Sequence, residues 1–265
     1  RPDRTKDLSL SLPDGAREAV TAALADSLQD ASFAAPVVLL VTATAREAED
    51  LAQGLGAWMD ARAIAHFPSW ETLPHERLSP RSDTVGERMA VLRKLAHPGR
   101  DGQPALRVVT APVRSIVQPI VKGLGDLEPV LLRTGEFYDF EQVVQDLANA
   151  AYTRVDMVSR RGEFAVRGGI IDVFPPTEDH PYRIEFFGDE IEEIRYFSIA
   201  DQRSLVDTSD DGSATPTSMY APPCRELLLT DDVQQKARDL QVSMPNVLEI
   251  LEPMSNGVAV EGMES

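Results

Sequence analysis

The period of apolar and polar positions changes near residue 126. Before that point, Val37-Val38-Leu39-Leu40-Val41 is a continuous apolar run, as expected of a parallel strand covered on both faces. Thr44 then opens a helix, with Glu47 three residues later in capping-box position and Ala48, Leu51, Ala52 and Leu55 at helical spacing. Ala63 to Phe67 and Leu106 to Thr110 are two further strands. Between them lies a helix opened by Ser82 or Asp83, whose stripe is Val85, Met89, Leu92 and Leu95. Strand and helix in alternation predict parallel crossovers.

Beyond Gly125 the pattern differs. Val130 to Leu132 is a strand, and Asp139 caps a helix bearing Phe140, Val143, Val144 and Leu147 on one face. Strands without intervening helices follow: Phe164 to Val173, Tyr182 to Phe187 and Glu190 to Phe197, an antiparallel meander with turns at Pro175–Pro181 and Gly188-Asp189. Residues 207–218 have loop composition, a strand at Leu227 to Leu229 and a helix over Asp231 to Val242 come next, and Val258 to Val260 is a last strand. The expected fold is an α/β parallel-sheet domain of helicase-like type, split by an inserted small α+β domain. Its boundaries are 1–126 for the first part, 127–206 for the insertion and 207–265 for the part that completes the sheet.

Net charge narrows the functions available. The chain of 265 residues carries −17 at pH 7, whereas nonspecific nucleic-acid binding rests on Lys and Arg neutralising phosphates. Cys224 is the sole cysteine and the four histidines are scattered, so no metal or disulfide framework is expected, in keeping with a reducing cytoplasm. No apolar run reaches the length of a membrane helix and no secretory signal opens the chain. The absence of an initiator Met suggests a segment of a longer protein.

Phosphate-loop chemistry needs Gly-x-x-x-x-Gly-Lys-[Ser/Thr], so that backbone amides and one Lys hold phosphates. At the first loop-to-helix junction, ahead of Val37, stands Leu12-Pro13-Asp14-Gly15-Ala16-Arg17-Glu18-Ala19, with one Gly, no Lys and two carboxylates. No nucleophile–base motif is evident either. No cofactor is therefore expected in this segment, and the parallel-sheet domain reads as a degenerate P-loop fold.

Two stretches carry a family likeness. One is Phe67-Pro68-Ser69-Trp70-Glu71-Thr72-Leu73-Pro74-His75-Glu76, followed by Leu78-Ser79-Pro80 and Asp83. The other runs from Tyr152-Thr153-Arg154-Val155-Asp156 through Arg161-Gly162-Glu163-Phe164-Ala165-Val166-Arg167-Gly168-Gly169-Ile170-Ile171-Asp172-Val173-Phe174-Pro175 to Tyr182-Arg183-Ile184-Glu185-Phe186-Phe187-Gly188-Asp189-Glu190-Ile191-Glu192. Together they resemble the UvrB-like N-terminal module of the bacterial transcription-repair coupling factors (Mfd), over roughly residues 36 to 262. The resemblance implies a module that recruits UvrA. It also implies a parent chain whose other domains contact RNA polymerase and double-stranded DNA, with ATP and Mg in its motor domains. The alternative is a UvrB-type excision-repair helicase subunit. This sequence departs from UvrB in lacking the intact phosphate loop and the tyrosine-rich hairpin.

Taken as one strand, Phe164 to Phe174 has Phe164 and Val166 on one face but Ile171 and Val173 in the opposite phase, which a bulge at Gly168-Gly169 reconciles. Arg167 and Phe174 then share the outward face, the type of pair enriched in interface hot spots. The resemblance points to the same positions: Arg154, Arg167 and Phe174 match UvrA-contacting positions, and Ala165 stands where UvrB has a further arginine. A competing reading packs Phe174 under Pro175-Pro176 and pairs the arginines with Glu185, Asp189 or Glu190. Elsewhere, Trp70, Leu73 and Leu78 are expected to seat their loop on the α/β sheet. Arg77, Arg81, Arg88, Arg93 and Lys94 are expected as a solvated helix surface, or alternatively a weak DNA-facing patch.

Overall fold

The computed structural model describes residues 9–28, 36–73, 76, 78–100, 104–205 and 216–263; most of the expected loop at 207–218, together with Pro74, His75 and Arg77, lies outside them. In chain order the first elements are α1 (Arg17–Ser27), β1 (Val38–Thr42), α2 (Ala45–Leu55), β2 (Ile64–His66), α3 (Ser82–Ala96), β3 (Val108–Pro112) and α4 (Val113–Val117). They are followed by β4 (Val130–Arg133), α5 (Phe140–Asn149), β5 (Thr153–Arg154), β6 (Glu163–Arg167) and β7 (Ile170–Val173). The last are β8 (Tyr182–Phe187), β9 (Glu190–Tyr196), β10 (Ser218–Ala221), α6 (Asp231–Ser243) and α7 (Leu248–Ser255). Two compact units result: Arg1–Ser69 with His97–Pro119, and Trp70–Ala96 with Ile120–Ser265.

The first unit holds the parallel sheet, ordered β1-β3-β2. Its centre is β3, buried at every position, because both neighbours hydrogen-bond to it. Thr44 accepts from the Glu47 amide at 3.2 Å and starts α2, as the capping pattern requires. Leu55 from α2 and Ala22 and Ala25 from α1 close over Val108 to form a small core. The run at Val37–Val41 is not covered on both faces as expected. β1 is an edge strand, and Leu39 and Val41 on one of its faces stay about half exposed.

The second unit is built around a five-stranded sheet, ordered β5-β6-β7-β8-β9, antiparallel except for the β5–β6 pair. Asp139 caps α5 by accepting from the Gln142 amide at 2.9 Å, and Val143 and Leu147 of that helix pack on Phe164, Ile171, Val173, Ile184, Ile191 and Ile194. The return of residues 207–265 to the parallel sheet is corrected by strand pairing. Among the described residues, β10 pairs antiparallel with β4, and its Met219 and Ala221 enter the meander's core together with Cys224. Leu227–Leu229 and Val258–Val260 are not strands; Leu227, Leu229 and Val260 pack instead around α6 and α7.

Within this unit one polar tie joins segments distant in sequence. Arg88 of α3 is fully buried, its Nε donates to Glu226 at 2.5 Å, and its guanidinium lies 5.3 Å from the Trp70 ring centroid. Trp70 Nε1 donates to the same Glu226 carboxylate at 2.8 Å. Trp70 thus closes on α3 and the 226 segment, and Leu73 and Leu78 are exposed. The expected basic helix surface is corrected as well. Arg88 and Arg93 are both buried, the latter donating to the Asp126 and Leu127 carbonyls, and Arg81 pairs with Asp83 at 2.7 Å.

Candidate protein-binding site

The stretch from Phe164 to Val173 is a hairpin, not a bulged strand. Arg167 pairs with Ile170 across Gly168-Gly169, and Gly168 takes φ +61°, the left-handed conformation that tight two-residue turns need. Phe164 therefore faces Val173 and Val166 faces Ile171, all four on the core side. The apparent reversal of phase arises because the turn consumes two residues and the chain doubles back.

Alternation leaves Ala165, Arg167 and Asp172 on the other face, joined across the sheet by Arg183 and Glu185 of β8 and by Glu193 and Arg195 of β9. Asp172 is almost wholly buried. It accepts from Arg183 Nε at 2.7 Å and Nη2 at 2.9 Å, a bidentate fork, and from Arg167 Nη2 at 2.6 Å. The fork holds the Arg183 guanidinium firmly charged, its pKa raised above the usual arginine value by the hydrogen bond to Asp172. Arg183 also lies 4.6 Å from the Phe197 ring centroid. Arg195 bonds both Glu185 and Glu193. Half of the Arg167 side chain remains exposed.

Each site residue expected from sequence has a different fate. Arg167 is exposed on this face, though paired to Asp172 rather than to Glu185, Asp189 or Glu190. Phe174, expected outward, is 5% exposed: Val155 and Val158 of the loop after β5 and Phe197 after β9 pack over it beside Ala165. The Arg161 guanidinium sits 5.4 Å from its ring centroid, and Arg161 itself pairs with Asp179 at 3.1 Å. Arg154 is exposed on β5, the edge strand, in register with Phe164. Arg167 lies three residues further along the sheet's next strand, so the register does not bring Arg154 and Arg167 to one face.

An aromatic group does accompany Arg167, but it is Phe187. Along β8, residues 183, 185 and 187 share a face, and Phe187 at its end is 78% exposed. The Phe186 amide bonds to the Gly169 carbonyl at 2.8 Å, holding this end of β8 against the β6–β7 turn. Phe187 lies two strand spacings and two residues from Arg167, roughly 12 Å away. Sequence alternation within Tyr182–Phe187 contains the signal: Tyr182, Ile184 and Phe186 mark the core side, leaving Arg183 and Phe187 outward.

Near Phe174, Glu178 is held with its pKa above the ordinary glutamate range, mainly by burial, and accepts from the Tyr196 hydroxyl at 3.3 Å; Tyr196 in turn contacts Tyr182 at 2.9 Å. Cys224 is buried in the core, which pushes its thiol up to about 12. Among the described residues no cluster of His, Cys, Asp and Glu fit to hold a metal is found, and no helix is long and apolar enough to cross a membrane.

Residues 130–220, which contain this face, match a family model described as the UvrB interaction domain. The whole chain is 49% identical to the transcription-repair-coupling factor of Mycobacterium tuberculosis, covering 21% of that protein. It is 28% identical over 89% of its length to the Bacillus subtilis factor, covering 18% of it. It is 31% identical over 54% of its length to the Escherichia coli factor, covering 12% of it. The chain thus spans about a fifth, or less, of the length of the curated relatives it matches. With sequence identity along its full length and the UvrB interaction domain at its centre, the chain belongs to the transcription-repair-coupling factor family.

Proposed function

We propose that this chain is the UvrA-recruiting module of a bacterial transcription-repair coupling factor, a protein-docking segment without chemistry of its own. The observation that carries the reading is that half-exposed Arg167 and the exposed ring of Phe187 lie on one face of the matched interaction domain. Arginine and large aromatic side chains dominate interface hot spots, and Asp172 and Arg183 fix the base on which Arg167 stands. Arg154 is a further contact in this proposal: an arginine on an edge strand is long enough to reach a partner seated on the neighbouring face. Phe174 serves by packing beneath the Arg161 loop.

The reading also leaves ATP chemistry, and contact with RNA polymerase and double-stranded DNA, to other domains of a longer parent protein acting in the cytoplasm. In a phosphate-loop fold the nucleotide binds between a strand and the following helix. Here β1 passes into α2 through Ala43-Thr44 alone, and the Thr44 hydroxyl is spent on capping. That connection has neither glycines nor a lysine. A UvrB-type helicase subunit is disfavoured by the same feature, and the relatives matched are coupling factors.

Titration of purified UvrA against the chain and its Arg167→Ala variant tests the proposal. The expected result is at least about tenfold weaker binding, the range of a hot-spot truncation, with the melting temperature nearly unchanged because Asp172 keeps the Arg183 fork. Equal affinity for the two proteins rejects the docking face.

A further inference from the structure

The docking face continues past Phe187 into a feature of different chemistry. Glu190 begins β9 opposite Phe187, and on its other side it bridges to Phe137 in the loop after β4. Residues directly opposite in antiparallel pairing project to the same side, so Phe137, Glu190 and Phe187 form one row across β8, β9 and the bridged loop. Phe137 is 73% exposed, nearly as open as Phe187. Its loop is held to β9 by three backbone hydrogen bonds: Gly135 amide to Ile191 carbonyl at 2.8 Å, Tyr138 amide to Asp189 carbonyl at 2.8 Å, and Ile191 amide to Glu136 carbonyl at 3.1 Å. Scattered exposed apolar residues are ordinary. Two rings fixed in register about a carboxylate are not scattered.

The charge around the row has one sign. Asp189 and Glu192 flank Glu190 on β9 and its turn, both exposed, and Glu136 adjoins Phe137. Of the cations close in sequence, Arg133 pairs with Glu136 at 3.6 Å, Arg183 with Asp172, and Arg195 with Glu185 and Glu193. Among the described residues the Glu190 carboxylate has no side-chain hydrogen bond or ion pair. Two strand spacings put the Phe137 and Phe187 backbones roughly 10 Å apart. A planar group stacked between two rings at van der Waals contact needs about 7 Å, which a small inward lean of each ring provides.

Resting on the docking reading above, we infer that Phe137 and Phe187 are the walls, and Glu190 the floor, of a slot that receives an arginine side chain of the docked UvrA. Arginine fits better than lysine because its planar, weakly hydrated guanidinium stacks on aromatic faces while forking to a carboxylate. The charge-balanced face at Arg167 and this anionic slot then lie side by side, giving the partner a polarity and hence a single orientation.

The test measures UvrA affinity at low and physiological salt for the unaltered chain and for Phe137→Ala, Glu190→Gln, Phe187→Ala and Arg167→Ala. Phe137→Ala is expected to bind about tenfold more weakly with an unchanged melting temperature, as suits an exposed hot-spot ring. Glu190→Gln is expected to lose about threefold to tenfold at low salt and to show a shallower salt dependence, since one screened attraction is gone. If Phe187→Ala and Arg167→Ala bind weakly while Phe137→Ala and Glu190→Gln stay within about twofold of the parent, the slot is overturned and the docking face stands. If all four bind as the parent does, the docking face itself falls and the slot with it. Self-association of the free chain, abolished by Phe137→Ala, would assign the row to a second copy and overturn the arginine slot.

Discussion

Asp172 and Glu178 are both withdrawn from solvent in the same small domain, yet they are stabilised in opposite ways. Asp172 has two guanidinium groups within hydrogen-bonding distance, which compensates the loss of water. At Glu178 desolvation outweighs the hydroxyl donors Tyr182 and Tyr196 and the weaker attraction of Arg161, raising its pKa in the folded protein. Between the unfolded and folded values the native state then binds more protons, so stability falls as pH rises through that window and is regained below it. Urea denaturation of the chain and of Glu178→Gln, from pH 4 upward, is expected to show a decline in the parent that the variant lacks; parallel profiles for the two proteins would contradict this. Phe174 teaches a related lesson. Parity along the strand identified its side of the sheet, but whether that side is open depends on Val155, Val158 and Phe197, which no local pattern ties to it.

At the scale of elements, most helices were legible because their signals are local. Thr44 and Asp139 cap the helices that their spacing predicts, and α6 begins within a residue of the expected Asp231. Strand identity at β1, β4, β8 and β9 was equally plain, whereas partners were not. An apolar run does not reveal whether it is central or at an edge, and β1 is at the edge. Gly168-Gly169 admits both a bulge and a hairpin turn, and only cross-strand register decides between them. Close approach between elements was invisible too. A Cβ placed on Gly86 of α3 would sit 2.3 Å from Pro176 Cγ and 2.5 Å from its Cβ, in a ring that cannot swing aside. Alanine improves helix propensity by roughly 1 kcal/mol, but overpacking of this severity costs about 1–3 kcal/mol. Gly86→Ala should therefore lower the melting temperature despite its better propensity, and a raised one would show that α3 can shift away from the 176 turn.

At the scale of the molecule, a net charge of −17 contrasts with the charge-balanced face where Arg167, Arg183 and Arg195 meet Asp172, Glu185 and Glu193. The tie of Trp70, Arg88 and Glu226 draws together positions up to 156 residues apart, and no local reading of α3 foretold a buried arginine. Removing Glu226 takes from the buried Arg88 the carboxylate to which its Nε donates, a loss of about 3–5 kcal/mol. Glu226→Ala is thus expected to unfold at far lower denaturant than the parent, with Arg88→Met in the same chain restoring much of the difference. No rescue by the second substitution would mean that Glu226 acts through something other than its charge.

The domain's core does not stop where the matched stretch ends at residue 220. Ala221 and Cys224 lie inside it, the Cys224 amide bonds to the Ala150 carbonyl at 2.9 Å, and the Tyr152 hydroxyl donates to Pro222 at 2.9 Å. A bait or immunogen trimmed to 130–220 would leave that seam unsealed and Tyr152 without its acceptor. Such a piece would fail to capture a partner through loosened packing, and the failure would be misread as missing contact residues. Pieces that start by Trp70 and run past Glu226 keep the seam closed.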